Sequence, residues 1–340
     1  MNLITPDKLK KGDKVAVVAP SWAGAHIYYK RYLSAKKAFE ETFGLTLVEM
    51  PHALASHEES DANPKMRADD IMLALKTSEI KGILSTIGGD DCVRLLPYLD
   101  FEVIRNNPKP FIGFSDTTAL LSAFVKAGVR AYYGPSLLCN FAEEGGIDPY
   151  TRFWFEKALM SEEPLGEITP SDYMITGHVS WEKVSKKPRP RIKNSGWKFI
   201  QGETPVSGHL LGGCIEVLEM IKGTRAWFSL DDFENAVLFI DLSEEMPTPT
   251  YVTRCLRSYA AAGILQKISA ILLSRPYCDV PENTFSDYDD AVLRAVSFEA
   301  GLTRMPVVTR MNFGHVQPVL TLEYGATCHI DPLKELIEIV

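Results

Sequence analysis

The 340-residue sequence contains no run of 18 apolar residues, so it offers no transmembrane helix. Its opening, MNLITPDKLKKGDKVAVVAP, sets no apolar stretch between a basic start and a small-residue cleavage site, which argues against a secretory signal. The six cysteines (Cys92, Cys139, Cys214, Cys255, Cys278, Cys328) form no CxxC pair, and no histidine stands at metal-ligand spacing. They read as free thiols of a cytoplasmic chain without a metal site. Neither GxGxxG nor GxxxxGK[ST] occurs, which removes two nucleotide-phosphate fingerprints. Positive charge is also scarce. Lysine and arginine number 36 against 44 acidic residues, a net charge of −8 and the reverse of a general nucleic-acid binder. No nucleic-acid or membrane partner is expected, and no internal repeat or low-complexity segment is present.

What remains is an ordinary globular composition, with 46% hydrophobic and 24% charged residues, and enough length for roughly two domains. Short β-branched runs alternate with helical patterns in the first half. VAVVAP (15–20), LTLVEM (45–50), GILSTIGG (82–89) and PFIGFSD (110–116) read as strands. Residues 29–43, 64–77 and TTALLSAFVKAG read as helices. That alternation predicts a parallel sheet covered on both faces, with its ligand crevice at the carboxyl ends of the strands. Residues 161–205 break the pattern with several prolines and the basic stretch WEKVSKKPRPRIKNSGWK, in which Trp181 and Trp197 are unusual for a mere spacer. A second α/β unit follows, with GHLLGGCIEVLEMIKGT from about 208 as a strand or turn into a helix, strand-like AVLFIDLSEE (236–245) and AILLSRP (270–276), helices through about 263 and near 287–300, and short strands over 307–330. The expected division is a Rossmann-like, amidotransferase-like domain over 1–165, a linker or loop over the site at 166–205, and a smaller mixed-sheet domain over 206–340.

Four segments could carry chemistry. Ser115 lies where the strand Phe111–Phe114 meets a helix beginning Asp116-Thr117-Thr118. A hydroxyl there is either a nucleophile at a strand-to-helix elbow or a plain helix cap. Gly88-Gly89-Asp90 ends a strand, as an oxyanion hole or phosphate cradle requires and as a tight turn also allows. His315, beside Gly314 in a late loop, is a candidate general base. Asp241, with Glu244 three residues on, ends the apolar run VLFI and could orient an imidazole or cap the next helix.

STIGGDD with RLLPYLD, NPKPFIGFSDTTALL, YYGP, GHLLGGC, VLFIDLSEEMPTPTYVTRCLRSY and GHVQPVLTLEYGA together resemble the LD-carboxypeptidase family of serine peptidases, and within it the microcin C immunity branch. The resemblance spans about residues 5 to 335. It implies a Ser–acid–His triad on Ser115, Asp241 and His315, with oxyanion donors at the Gly89 and Asp116 amides and neither metal nor cofactor. It also implies a homodimer. The family's acid is usually glutamate, so Asp241 is a departure and Glu244 an alternative acid. Gly88, Asp90 and Trp181 are the expected substrate-binding residues. Trp181 matches an aromatic position near the nucleotide part of the immunity branch's substrate, and stacking and packing are both open to it. ILLSRPY departs from a Gly-Lys-His-Glu-like segment of that branch. Two substrates therefore stay open, a murein LD-peptide and a peptidyl- or aminoacyl-nucleotide. The rival readings are an amidotransferase-like hydrolase and a binding module that has lost catalysis.

Overall fold

The computed structural model describes residues 1–183, 185 and 187–340, so Val184 and Lys186 of the basic stretch lie outside it. Five strands of the first half, β1 (Lys14–Val18), β2 (Thr46–Glu49), β3 (Ile80–Ser85), β4 (Phe111–Gly113) and β5 (Tyr132–Tyr133), pair in parallel in the order β5-β4-β3-β1-β2. Nearly every residue of β1, β3, β4 and β5 is buried, as a sheet covered on both faces demands. The helix Tyr29–Phe43 coincides with the stretch read from the sequence. Tyr32, Ala35, Phe39 and Phe43 form its buried stripe, and Phe39 and Phe43 pack on Phe141 and Phe155.

The remaining strands are β6 (Gly166–Ile168), β7 (Tyr173–Ile175), β8 (Arg191–Lys193), β9 (Lys198–Gln201), β10 (Val206–Cys214), β11 (Ala236–Asp241), β12 (Ala270–Ser274), β13 (Val307–Met311), β14 (Leu322–Glu323), β15 (Thr327–Asp331) and β16 (Leu336–Ile339). Eight of them build the second sheet, in the order β6-β16-β15-β10-β11-β12-β13-β9. Its centre, β10 to β13, is parallel, and both flanks are antiparallel. The fold is thus α/β with a parallel-rich first sheet and a mixed second one.

Two features were not foreseen. The segment read as a linker supplies both edge strands of the second sheet, β6 and β9, and between them the β7–β8 hairpin. In the other direction, β14 from the second half pairs antiparallel with β5 and completes the first sheet. Arg130 and Glu323 bridge that seam at 2.8 Å. No helix among the described residues is long and apolar enough to cross a membrane. All six cysteines are free.

Candidate active site

The two sheets bring the carboxyl ends of their strands together. From the first come the loops after β1, β3 and β4, carrying Trp22, Gly88 and Ser115. From the second come Asp241 at the end of β11, Arg275 just after β12 and His315 in the loop after β13. Between them lies a cavity of about 460 Å³ with Ser115, His315, Gly88, Trp181 and Arg275 in its walls.

Ser115 is 8% exposed and has φ +60°, a left-handed conformation that a non-glycine residue adopts only under strain. This is the geometry of a strand-to-helix elbow, which pushes the side chain out of the sheet edge. Gly88 stands so close that a Cβ on it would meet the Ser115 Cβ and Oγ at 2.8 Å, so the glycine is what leaves the hydroxyl room. Among the described residues, no hydrogen bond engages the N–H of Gly89 or of Asp116. The Asp116 carboxylate is buried and accepts from the N–H groups of Asp91 (2.9 Å) and Cys92 (2.7 Å), which ties the glycine loop to the elbow. Burial raises its pKa despite those bonds. A second clamp holds the same loop, where Arg67 grips Asp91 through two contacts of 2.7 Å. Asp90, expected to bind substrate, is exposed and lies outside the cavity wall. Its neighbour Asp91 is the anchored residue, one position away.

Asp241 is fully buried. Its Oδ2 accepts from His315 Nδ1 (2.7 Å) and from the Tyr133 hydroxyl (2.6 Å), and its Oδ1 accepts from the His315 N–H (3.1 Å). A Cβ at Gly314 would overlap this carboxylate, so glycine there is what lets the His315 loop close on it. The other ring nitrogen, Nε2, stands 2.8 Å from Glu244 Oε2 but off the line of a hydrogen bond. Burial alone would depress the His315 pKa. The Asp241 charge and hydrogen bond, joined by Glu244, overcome this and hold it well above the ordinary histidine value. Burial likewise opposes ionisation of Glu244, yet the contact with His315 brings it down to about 2. Both candidate acids therefore reach His315, on opposite ring nitrogens. No hydrogen bond joins Ser115 to His315 among the described residues; Phe114 lies edge-on to the ring at 4.9 Å.

Tyr133, in the YYGP stretch, has no role in the sequence reading. Its hydroxyl donates to Asp241 and accepts from the Ser115 N–H at 3.3 Å, so one phenol touches the elbow and the acid. Trp181 lines the cavity and also packs on protein. Its ring lies 6.1 Å from Trp22 and 5.5 Å from Tyr28, with the Arg31 guanidinium 4.8 Å above it. Trp197 is structural, donating from Nε1 to Asn312 Oδ1 at 2.9 Å. Two ligand-like trios border the site, Cys214–Asp241–His315 and His178–Cys278–Asp279. In the first, burial keeps the thiol protonated. In the second, His178 Nε2 and Asp279 Oδ2 already pair at 2.7 Å.

A hydroxyl at a strained elbow, set in one cavity with a carboxylate-held imidazole, places the molecule among hydrolases with a serine nucleophile. Family profiles agree. The LD-carboxypeptidase N-terminal domain matches residues 15–134 and the C-terminal domain residues 207–330. The chain is 30% identical over 329 residues, 96% of both chains, to a Bacillus subtilis protein, YocD, that bears a carboxypeptidase name. It is 30% identical over 271 residues, 78% of this chain and 76% of the other, to the microcin C7 self-immunity protein MccF of Escherichia coli. The crystal structure of an MccF-like protein from Streptococcus pneumoniae, in complex with AMP, superimposes with a TM-score of 0.87 at 27% identity, covering 97% of this chain and 99% of that one. The chain belongs to the LD-carboxypeptidase family and is a serine-type peptidase of that family.

The shared hydroxyl makes Tyr133→Phe a sharp test. Removing a hydrogen bond to a buried charged group costs about 1.5–3 kcal/mol. Labelling of Ser115 by a fluorophosphonate should therefore slow by roughly 10-fold or more, with the fold intact. An Asp241 carboxylate freed from the phenol binds imidazolium more strongly, so the acid limb of the labelling profile should move to higher pH. An unchanged rate and profile would remove Tyr133 from the site.

Proposed function

We propose that the protein is a carboxypeptidase that hydrolyses an amide bond near a free carboxylate through Ser115, His315 and Asp241. The observation that carries this reading is the pair of hydrogen bonds from His315 to the buried Asp241, in the cavity that Ser115 also lines. Asp241 fixes the tautomer with Nδ1 protonated, which leaves Nε2 as the nitrogen able to take a proton. Once substrate has displaced Glu244, the neutral imidazole removes the Ser115 proton through Nε2 as Oγ attacks the substrate carbonyl carbon. The developing oxyanion meets the free N–H groups of Gly89 and Asp116, close to the amino end of the helix that follows. Nε2 then returns the proton to the departing amine and an acyl-enzyme remains. Water, deprotonated by the same nitrogen, completes hydrolysis and restores Ser115.

Glu244 is the group substrate must displace from Nε2. Its side chain is 56% exposed and its contact is unaligned, so it yields more readily than Asp241. The two acids thus have different tests. Asp241→Asn should lose most turnover because it presents the wrong partner to Nδ1. Glu244→Gln should keep turnover. With one of the two negative charges gone, His315 becomes less basic and the acid limb of kcat/KM should shift to lower pH. If Glu244→Gln is the crippling change, the orienting acid is Glu244.

Ser115→Ala and His315→Ala should each lower kcat by several orders of magnitude without loss of fold, and the double variant should be no worse than either. The measurement is hydrolysis of muropeptide tetrapeptides beside aminoacyl-sulfamoyl adenylates. Turnover surviving in Ser115→Ala would overturn the mechanism.

A second reading concerns the substrate. The Trp22 and Trp181 rings of the cavity wall, both packed on Tyr28, suit a planar base, and the AMP held by the Streptococcus pneumoniae protein supports a peptidyl- or aminoacyl-nucleotide. Stacking of this kind is worth about 1–3 kcal/mol. Trp181→Ala should then raise KM for an adenylate roughly 5- to 150-fold and leave an LD-peptide nearly unchanged. Equal losses on both, with a lower melting temperature, would make Trp181 a packing residue.

A further inference from the structure

Three arginines line the cavity, and they are not alike. Arg31 contacts Glu144 at 3.1 Å, and Arg189 grips Glu143 with two nitrogens. Arg275 has no such partner. It is 5% exposed, yet its nearest carboxylate, on the half-exposed Glu282, is 3.9 Å away. Of its five N–H donors only one is engaged among the described residues, Nη1 to Asn194 Oδ1 at 3.2 Å. Its guanidinium lies over the Phe285 ring at 4.9 Å, and Arg310, paired to Asp289, approaches the same ring at 5.9 Å.

A buried cation with its donors unspent is costly, and a guanidinium in this state is neutralised by whatever anion fits. The side chain is already fixed. Asn194 holds one edge and is itself pinned by Ser171 and Asn312, while Phe285 supports the plane. A planar fork held on one edge leaves the other for bidentate capture of carboxylate or phosphate-like oxygens. Arg275 also follows β12 directly, and β12 is the strand beside β11, which ends in Asp241. The free donors therefore sit in the same crevice as the reacting groups.

We propose that Arg275 is the anion-binding residue of this cavity and takes the negatively charged oxygens of the substrate that lie next to the scissile bond. This rests on the carboxypeptidase reading and names what the enzyme holds. Two sources present that chemistry, the terminal carboxylate of an LD-peptide and the charged linker of an aminoacyl-nucleotide. The uncharged peptide amide does not.

The test compares wild type, Arg275→Met and Arg275→Lys on three compounds: an LD-tetrapeptide with a free terminal carboxylate, the same peptide as its terminal amide, and an aminoacyl-sulfamoyl adenylate. Binding is read by tryptophan fluorescence and turnover by product formation. Wild type should prefer the free acid to the amide. Arg275→Met should lose roughly 10- to 150-fold on the free acid, the loss expected for a bond to a charged group, and nothing on the amide. Arg275→Lys should recover part of it. A loss on the peptide acid identifies the carboxylate as the anion, and a loss confined to the adenylate identifies its linker. Fluorophosphonate labelling of Ser115, which needs no anion, should be unchanged, and the melting temperature of Arg275→Met should be equal or higher because an uncompensated charge has gone. No loss on either anionic compound, or equal losses on acid, amide and adenylate in Arg275→Met and Arg275→Lys, overturns the proposal. If the functional reading is what fails, wild type shows no Ser115-dependent turnover, and fluorescence binding still decides the role of Arg275.

Discussion

A carboxylate without any solvent exposure survives in a protein only if every charge-bearing oxygen is answered, and Asp241 is such a group. Its partners come from three places: Tyr133 on the first sheet, and the ring and backbone of His315 in the second half. The contact with Tyr133 spans 108 positions of sequence. Because Tyr133 also receives the Ser115 N–H, the geometry of the elbow and that of the histidine loop cannot be set separately. Losing one partner would strand a buried charge, a penalty larger than the worth of any single bond gained.

Around this centre the loops are held by ion pairs. Arg67 and Asp91 lock the glycine loop to the turn after β1 through the Pro20 and Ser21 carbonyls. Glu144 meets Arg31 and also the Ser185 N–H, while Glu143 takes Arg189, so Ser185 and Arg189, between β7 and β8, are anchored to these glutamates. These glutamates are almost fully buried and each has a cationic partner. Arg275 stands apart from them, its nearest carboxylate being that of the half-exposed Glu282, 3.9 Å away.

Much of the architecture was legible because hydrophobic period announces it. The Tyr29–Phe43 stripe and the buried runs of β1, β3, β11 and β12 are spelled in the residues themselves. Ser115 and Asp241 were visible as residues at the ends of such runs, and His315 as a histidine beside Gly314 in a late loop. Other features have no local signature. β6 and β8 are three residues each, and β8 is wholly exposed, so nothing in Gly166–Ile168 or Arg191–Lys193 marks a strand until a partner supplies one. Asp90 and Asp91 are indistinguishable in sequence, and only the reach of Arg67 selects between them. The two acids near His315 stand three residues apart, Asp241 ending β11 and Glu244 in the loop after it, and it takes the fold to show that they serve opposite nitrogens. Tyr133 is one of two adjacent tyrosines, and strand alternation alone decides which of them faces Asp241.

The seam at β14 bears on how such proteins diverge. The first family profile ends at residue 134, but the strand that seals the edge of that sheet is Leu322–Glu323, within the second profile's span. Neither half is therefore a cassette. A chimera that joined the first half of one relative to the second half of another would inherit a foreign edge strand beside β5 and a foreign mate for Arg130. An exchange that keeps this pairing must carry both sides of the strand pair together, whereas substitution within a loop leaves it untouched.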